Sequence, residues 1–191
     1  MRISADAPFV EVLDATFFQM RFLDAPDAVH AAQSPEGRWH HSGQRALYLS
    51  GTPEGTKVAM RIYRRDDEST RAIFLLKITN ARVINIRNAK APELYGIDAS
   101  EMHCRWQEHV RDGKPSPTWQ ISDAIRAAGF DGLLAPSRSA PDLTHLTLFR
   151  WNEPNAPSVT LGPPFFAGIT DAGKCLPGCA NCAPLFHSYR S

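Results

Sequence analysis

The chain has almost no charge bias. Across its 191 residues, 21 Lys and Arg stand against 20 Asp and Glu, a formal net charge of +1. So even a balance excludes the basic footprint of a non-specific nucleic-acid binder and gives no reason for a membrane-surface role. No apolar run approaches the roughly 18 residues that a transmembrane helix requires. The first residues, Met1 to Pro8, carry an early acid and no long apolar segment, so a cytoplasmic protein is expected. Cysteine is scarce: Cys104, Cys175, Cys179 and Cys182 are the four, and three crowd together near the C-terminus. That distribution excludes the spread framework of a disulfide-stapled secreted domain. Familiar catalytic loops are missing too. There is no G-x-G-x-x-G after a strand, no G-x-x-x-x-G-K-[ST] and no H-E-x-x-H.

What is present is a chain able to fold around a core. Hydrophobic residues make up 43% and charged residues 21%, which argues against disorder. Residues 1–20 read as a short helix or strand leading into the domain, and residues 24–44 as a long loop rich in Asp, Pro, Ser, Gly and His. Residues 46–50 predict a short strand. Thr52, Pro53 and Glu54 then give a capped helix start. Residues 72–79 and 82–86 predict two apolar strands. A helix capped by Ser100, with Met102, Trp106 and Val110 on one stripe, is expected to end at Gly113. A second, opened by Ser116 and Pro117, stops at Gly129. Strands follow at 130–137 and 146–151. This order lacks steady βαβ alternation. It predicts an α+β fold, a compact mixed or antiparallel sheet core with flanking helices. Residues 1–151 form the expected domain, and the Pro- and Gly-rich residues 152–191 an expected C-terminal extension.

Several polar residues sit beside the predicted strands. Arg21 follows an apolar run, Arg38 lies in Gly37-Arg38-Trp39-His40-His41, Tyr48 lies within a strand and Ser137 ends one. Each has an ordinary reading as well. Arg21 can pair with Asp24 or Asp27, Arg38 can be a solvated loop residue, Tyr48 a core aromatic and Ser137 a turn residue. His40 and His41 read first as exposed loop histidines, and second as groups that titrate near neutral pH and assist a phosphate or leaving group. In the tail, Cys175, Cys179, Cys182 and His187 are ligand types that suit tetrahedral zinc, but their spacing is too tight for a finger with two separated pairs.

Taken in order, these segments resemble the RES-domain family, named for an Arg, a Glu and a Ser. The matching stretches are Met20-Arg21-Phe22, Gly37-Arg38-Trp39, Ala46 to Pro53, Gly129 to Ser137 and Leu146 to Trp151, covering roughly residues 15–151. The resemblance implies an ADP-ribosyltransferase-like fold and NAD as substrate, with no metal required. It implies a toxin role beside a helix-turn-helix antitoxin protein. It also implies cleavage of the nicotinamide–ribose bond by phosphorolysis, hydrolysis or ADP-ribosyl transfer to a protein acceptor. The chemistry suits the residues. An Arg fork matches phosphate oxygens, so Arg21 and Arg38 are expected to clamp the pyrophosphate. The Tyr48 ring suits a flat cationic nicotinamide, and Ser137 can hydrogen-bond the carboxamide or a ribose hydroxyl.

The sequence departs from the family at one point. An oxocarbenium-like transition state calls for a carboxylate, yet the family's Glu position falls on or near Ala59. Glu54, five residues earlier, lies about 140° away around a helix. It is the remaining carboxylate candidate, or it serves only the helix N-terminus. The rival reading is a degenerate RES domain that binds NAD or a partner protein without turnover.

Overall fold

The computed structural model describes residues 8–23, 25, 28–61, 70–88 and 90–170. The architecture is α+β, as the element order predicts. Strands β1 (Val10–Phe22) and β2 (Leu47–Ser50) precede helix α1 (Pro53–Met60) and the long β3 (Thr70–Asn85). Four helices follow: α2 (Lys90–Tyr95), α3 (Ala99–Met102), α4 (Trp106–Arg111) and α5 (Pro117–Ala127). Strands β4 (Gly132–Pro136), β5 (Thr144–Leu148) and β6 (Ser158–Thr170) complete the described chain.

The sheet order is β1-β2-β5-β4-β3-β6, and β1 pairs with β3 as well, so the first five strands form a closed cycle. Every pairing is antiparallel except β3 with β4. Strand alternation divides the apolar residues between two clusters. Phe17, Leu47, Leu49, Leu76, Ile78, Leu134, Leu146 and Leu148 form one cluster, to which all the strands contribute. Ile84, Leu133 and Ala135 point the other way and pack with Trp39, Tyr95, Ile121, Ile125 and Phe130 beneath the helices. Tyr48 packs on this second cluster. Its strand neighbours Leu47 and Leu49 belong to the first.

Four local expectations change. The two strands at 72–79 and 82–86 are one strand. Asn80, at φ 60°, is the extra residue of a bulge opposite Asp14, whose Oδ1 accepts from Asn80 N–H at 3.0 Å. A bulge lets the turn-like Thr79-Asn80 pair sit inside a continuous ladder. The helix predicted from Ser100 to Gly113 is broken at Cys104-Arg105 into α3 and α4. Asp98, not Ser100, caps α3, its carboxylate accepting from Ser100 N–H at 2.7 Å. Only Met102 of the expected stripe is buried. Ser116 stands at the start of α5, but its hydroxyl bonds Thr118 Oγ1 at 2.8 Å and leaves the helix end uncapped. The predicted cap Thr52 does accept from Gly55 N–H at 3.0 Å.

The fourth change lies past residue 151. Ser158–Thr170, placed by composition in an extension, is strand β6 on β3, with Val159 buried opposite Ile78. Gly162, Pro163 and Pro164 hide it in the sequence. A strand at the end of the sheet order tolerates proline because one of its edges needs no ladder donor. Cys175, Cys179, Cys182 and His187 lie outside the described residues.

Candidate functional site

The loop before β2 is tied to the helices by its backbone. Trp119 Nε1–H donates to Gly37 O at 2.8 Å, and the Thr118 hydroxyl donates to Arg38 O. These bonds fix Arg38 across the end of β4. Its Nη1 donates to Pro136 O at 3.1 Å and its Nη2 to Met102 O at 2.5 Å. The guanidinium carbon lies 4.7 Å from the centre of the Trp39 ring. Pro136 directly precedes Ser137, so the structure brings Arg38 and Ser137 to the same corner. Ser137 is buried, and its N–H donates to Leu143 O at 2.8 Å.

Carbonyl oxygens and an indole face are weak compensation for a full positive charge. No carboxylate pairs with Arg38 among the described residues, and its buried Nε has no hydrogen-bond partner. Burial lowers its pKa to about 10, with Arg138 adding repulsion and Cys104 and Tyr48 opposing it. Arg126 is also brought to about 10 by burial, but there the Asp123 carboxylate acts against the shift. Arg38 remains charged at neutral pH. Its environment has the composition of a site for an anion.

Tyr48 and His40 form the second part. The Tyr48 hydroxyl accepts from Trp39 N–H at 2.9 Å and lies 2.8 Å from His40 Nδ1. His40 Nε2 lies 3.0 Å from Ser34 O. His40 is 1% exposed, a correction to the expected exposed loop histidine. Burial lowers its pKa first of all, Arg126 and His41 add to this, and the Ser34 carbonyl and Glu36 oppose it. His41 diverges from it. Its ring stacks on Trp119 at 4.8 Å and its Nε2 lies 3.0 Å from Asp123 Oδ2. It fastens the loop to α5. Gly37 has to be glycine here: a Cβ would stand 2.5 Å from His40 Cε1 and 2.7 Å from the Tyr48 hydroxyl.

The sequence reading missed a third pair. Ser50 Oγ lies 3.0 Å from His145 Nδ1, on the same strand face as Tyr48. His145 is opposite Ser50 on one side and Ala135 on the other. Its pKa is lowered by burial and then by the charge of Arg38. The signal was available, since Leu146 and Leu148 alternate with His145 and Thr147 and so assign His145 to the polar face of β5.

Two expected residues are not brought to this cluster. Arg21 lies on the strand face of Phe17 and Phe74. It donates to Ala28 O at 3.0 Å, and its guanidinium carbon is 5.5 Å from the Phe74 ring centre. Among its described contacts, none is shared with Arg38. Asp24 and Asp27 lie outside the described residues. Glu54, with 63% of its side chain exposed, faces Lys57 at 4.0 Å. Ala59 is half-buried on the same helix. Among the described residues, no cluster of metal-ligating side chains occurs and no helix is long and apolar enough to cross a membrane.

Comparison with known proteins gives this cluster its context. Among curated proteins, none matches the sequence. A chain of the M. tuberculosis MbcT–MbcA toxin–antitoxin complex shares the fold, with a TM-score of 0.59 at 13% identity over 81% of this chain and 85% of that one. The RES domain matches residues 12–165, which takes in every strand except the first two residues of β1 and the last five of β6, together with Arg21, Arg38, Tyr48, Ala59 and Ser137. The chain belongs to the RES-domain family.

Proposed function

We propose that the protein is an NAD-directed toxin of a toxin–antitoxin pair. The observation that carries this reading is the buried Arg38 guanidinium, held by carbonyl oxygens and the Trp39 ring face with its Nε unpartnered. A dinucleotide supplies what that arrangement lacks. Its pyrophosphate answers the Arg38 charge through charge-assisted hydrogen bonds. Its cationic nicotinamide finds the face of Tyr48, and Ser137, at the Arg38 corner, orients the carboxamide or a ribose hydroxyl. Arg21 is not needed for this grip. Family membership supports the substrate class, and the toxin–antitoxin neighbour supports an antitoxin protein as partner; a helix-turn-helix antitoxin and a cytoplasmic site of action are part of the same proposal.

The reaction is heterolysis of the nicotinamide–ribose bond. The electron pair of that bond leaves with the ring nitrogen and neutralises the pyridinium. The ribosyl cation is captured by phosphate, water or a protein side chain, with loss of a proton from the acceptor. Purified protein mixed with NAD is expected to release free nicotinamide. If none appears with phosphate or water, and labelled NAD modifies no protein in a lysate, the enzymatic reading fails.

One observation favours a second reading. Glu54 faces Lys57, and the family resemblance puts the family's Glu position on or near Ala59. A domain without that carboxylate binds NAD or a partner protein without turning the dinucleotide over. Calorimetric binding with no nicotinamide release selects this reading.

A further inference from the structure

The hydroxyl of Tyr48 has one hydrogen, and its neighbours decide where that hydrogen goes. Trp39 N–H can only donate, and it points at the oxygen at 2.9 Å. The Ser34 carbonyl can only accept, so the His40 nitrogen facing it at 3.0 Å, Nε2, carries a proton. A neutral imidazole then has a lone pair at Nδ1, the atom 2.8 Å from the Tyr48 oxygen. The chain of bonds therefore runs in one direction, from Trp39 N–H to Tyr48, from Tyr48 O–H to His40, and from His40 to Ser34. Burial favours the neutral ring; the Ser34 carbonyl and Glu36 oppose this, and Arg126 and His41 act with it. Gly37 closes the arrangement from behind, leaving no room for a Cβ.

We propose that His40 is a positioning residue: by accepting a hydrogen bond from the Tyr48 hydroxyl at Nδ1 it locks the phenol, so that Tyr48 offers a ligand only its ring face. This rests on the NAD reading for its functional consequence. A tyrosine whose hydroxyl is occupied at both hydrogen and lone pair cannot recognise a ligand by hydrogen bonding through its proton. It selects instead for a flat ring, and a cationic one gains most.

The test has two arms. In the first, ¹⁵N spectra of the full chain report the ring of His40 without any ligand. The expected result is protonated Nε2 and unprotonated Nδ1 at neutral pH. Protonated Nδ1, or an imidazolium, overturns the proposal. In the second arm, NAD affinity is measured by calorimetry. His40→Leu is expected to weaken binding about five- to tenfold, the scale of one lost orienting hydrogen bond. His40→Asn, whose Oδ1 can stand in for Nδ1, restores most of it. In a Tyr48→Phe background, His40→Leu costs nothing more. Equal losses in both backgrounds show that His40 does not act through Tyr48 and overturn the proposal. If the wild type binds no NAD, the proposed function fails, and the ring tautomer alone decides the role of His40.

Discussion

Two buried ionic groups in this fold are treated in opposite ways. Asp131, directly before β4, is 3% exposed and fully provided for. Its Oδ1 accepts from Arg150 Nε at 2.5 Å and its Oδ2 from Arg82 N–H at 2.8 Å. Its backbone also binds both neighbouring strands, with N–H donating to Arg82 O and C=O accepting from Phe149 N–H. Arg38, beside the other end of β4, has two carbonyl partners, an indole face and, among the described residues, no carboxylate. The first group joins β3, β4 and β5 at the end where the sheet turns back. The second is left short of a counter-charge at the corner that Arg38 shares with Ser137. A buried charge paid in full marks structure, and one left uncompensated marks a place where something else is expected to bind.

The contrast can be broken by mutation, beginning with the largest effect. Asp131→Ala strips two charge-assisted hydrogen bonds from a buried position and is expected to cost about 3 kcal/mol in urea unfolding. A loss under about 1 kcal/mol would remove the structural half of the comparison. Gly37→Ala drives a methyl into His40 and Tyr48. An overpacking cost of about 2 kcal/mol is expected, together with loss of the single His40 tautomer in ¹⁵N spectra.

Acidification should act next. The folded-state pKa values of His40 and His145 are lowered from 6.5. Around and below that value the unfolded chain binds more protons than the native one, so stability rises with pH there. Denaturant midpoints are expected to fall as pH drops from about 7 to 5, and replacing His145 by Asn should flatten the slope. Arg38→Met, in contrast to Asp131→Ala, should change stability by no more than about 1 kcal/mol in either direction, because it removes an uncompensated buried charge. The smallest effect is expected at Glu54. Its long contact to Lys57 is exposed, so Glu54→Gln should move stability by about 0.3 kcal/mol and leave nicotinamide release unchanged.

The elements with clear local chemistry were readable from the sequence. Thr52-Pro53 opens α1, Gly129 closes α5, and alternating Leu residues mark β2 and β5. Where tertiary pairing overrides local composition, the reading failed. Asn80 looks like a turn and is a bulge, because β1 supplies Asp14 opposite it. Gly162-Pro163-Pro164 looks like a linker and is a strand, because β3 offers an edge. At the site, Arg38, Tyr48 and Ser137 came from the ordered family segments, and two of the three are tied to one corner through Pro136. The reading of Arg21 and Arg38 as one clamp did not anticipate strand parity. Arg21 shares a face with Phe17, while Tyr48 faces the other way. His40 was misread because burial of a loop histidine depends on two partners, Tyr48 and Ser34, that no local pattern announces. Ser50 and His145 lie 95 residues apart in the chain, so only the register of β2 on β5 makes them a pair.

The central claim is that Arg38 is a buried cation awaiting an anionic dinucleotide. It is tested most directly by titrating NAD into the wild-type protein and into Arg38→Ala by calorimetry. The account predicts saturable binding to the wild type and a loss of about 30-fold or more in the variant, the scale of a lost charge-assisted contact to phosphate. Equal affinity in the two proteins would contradict it.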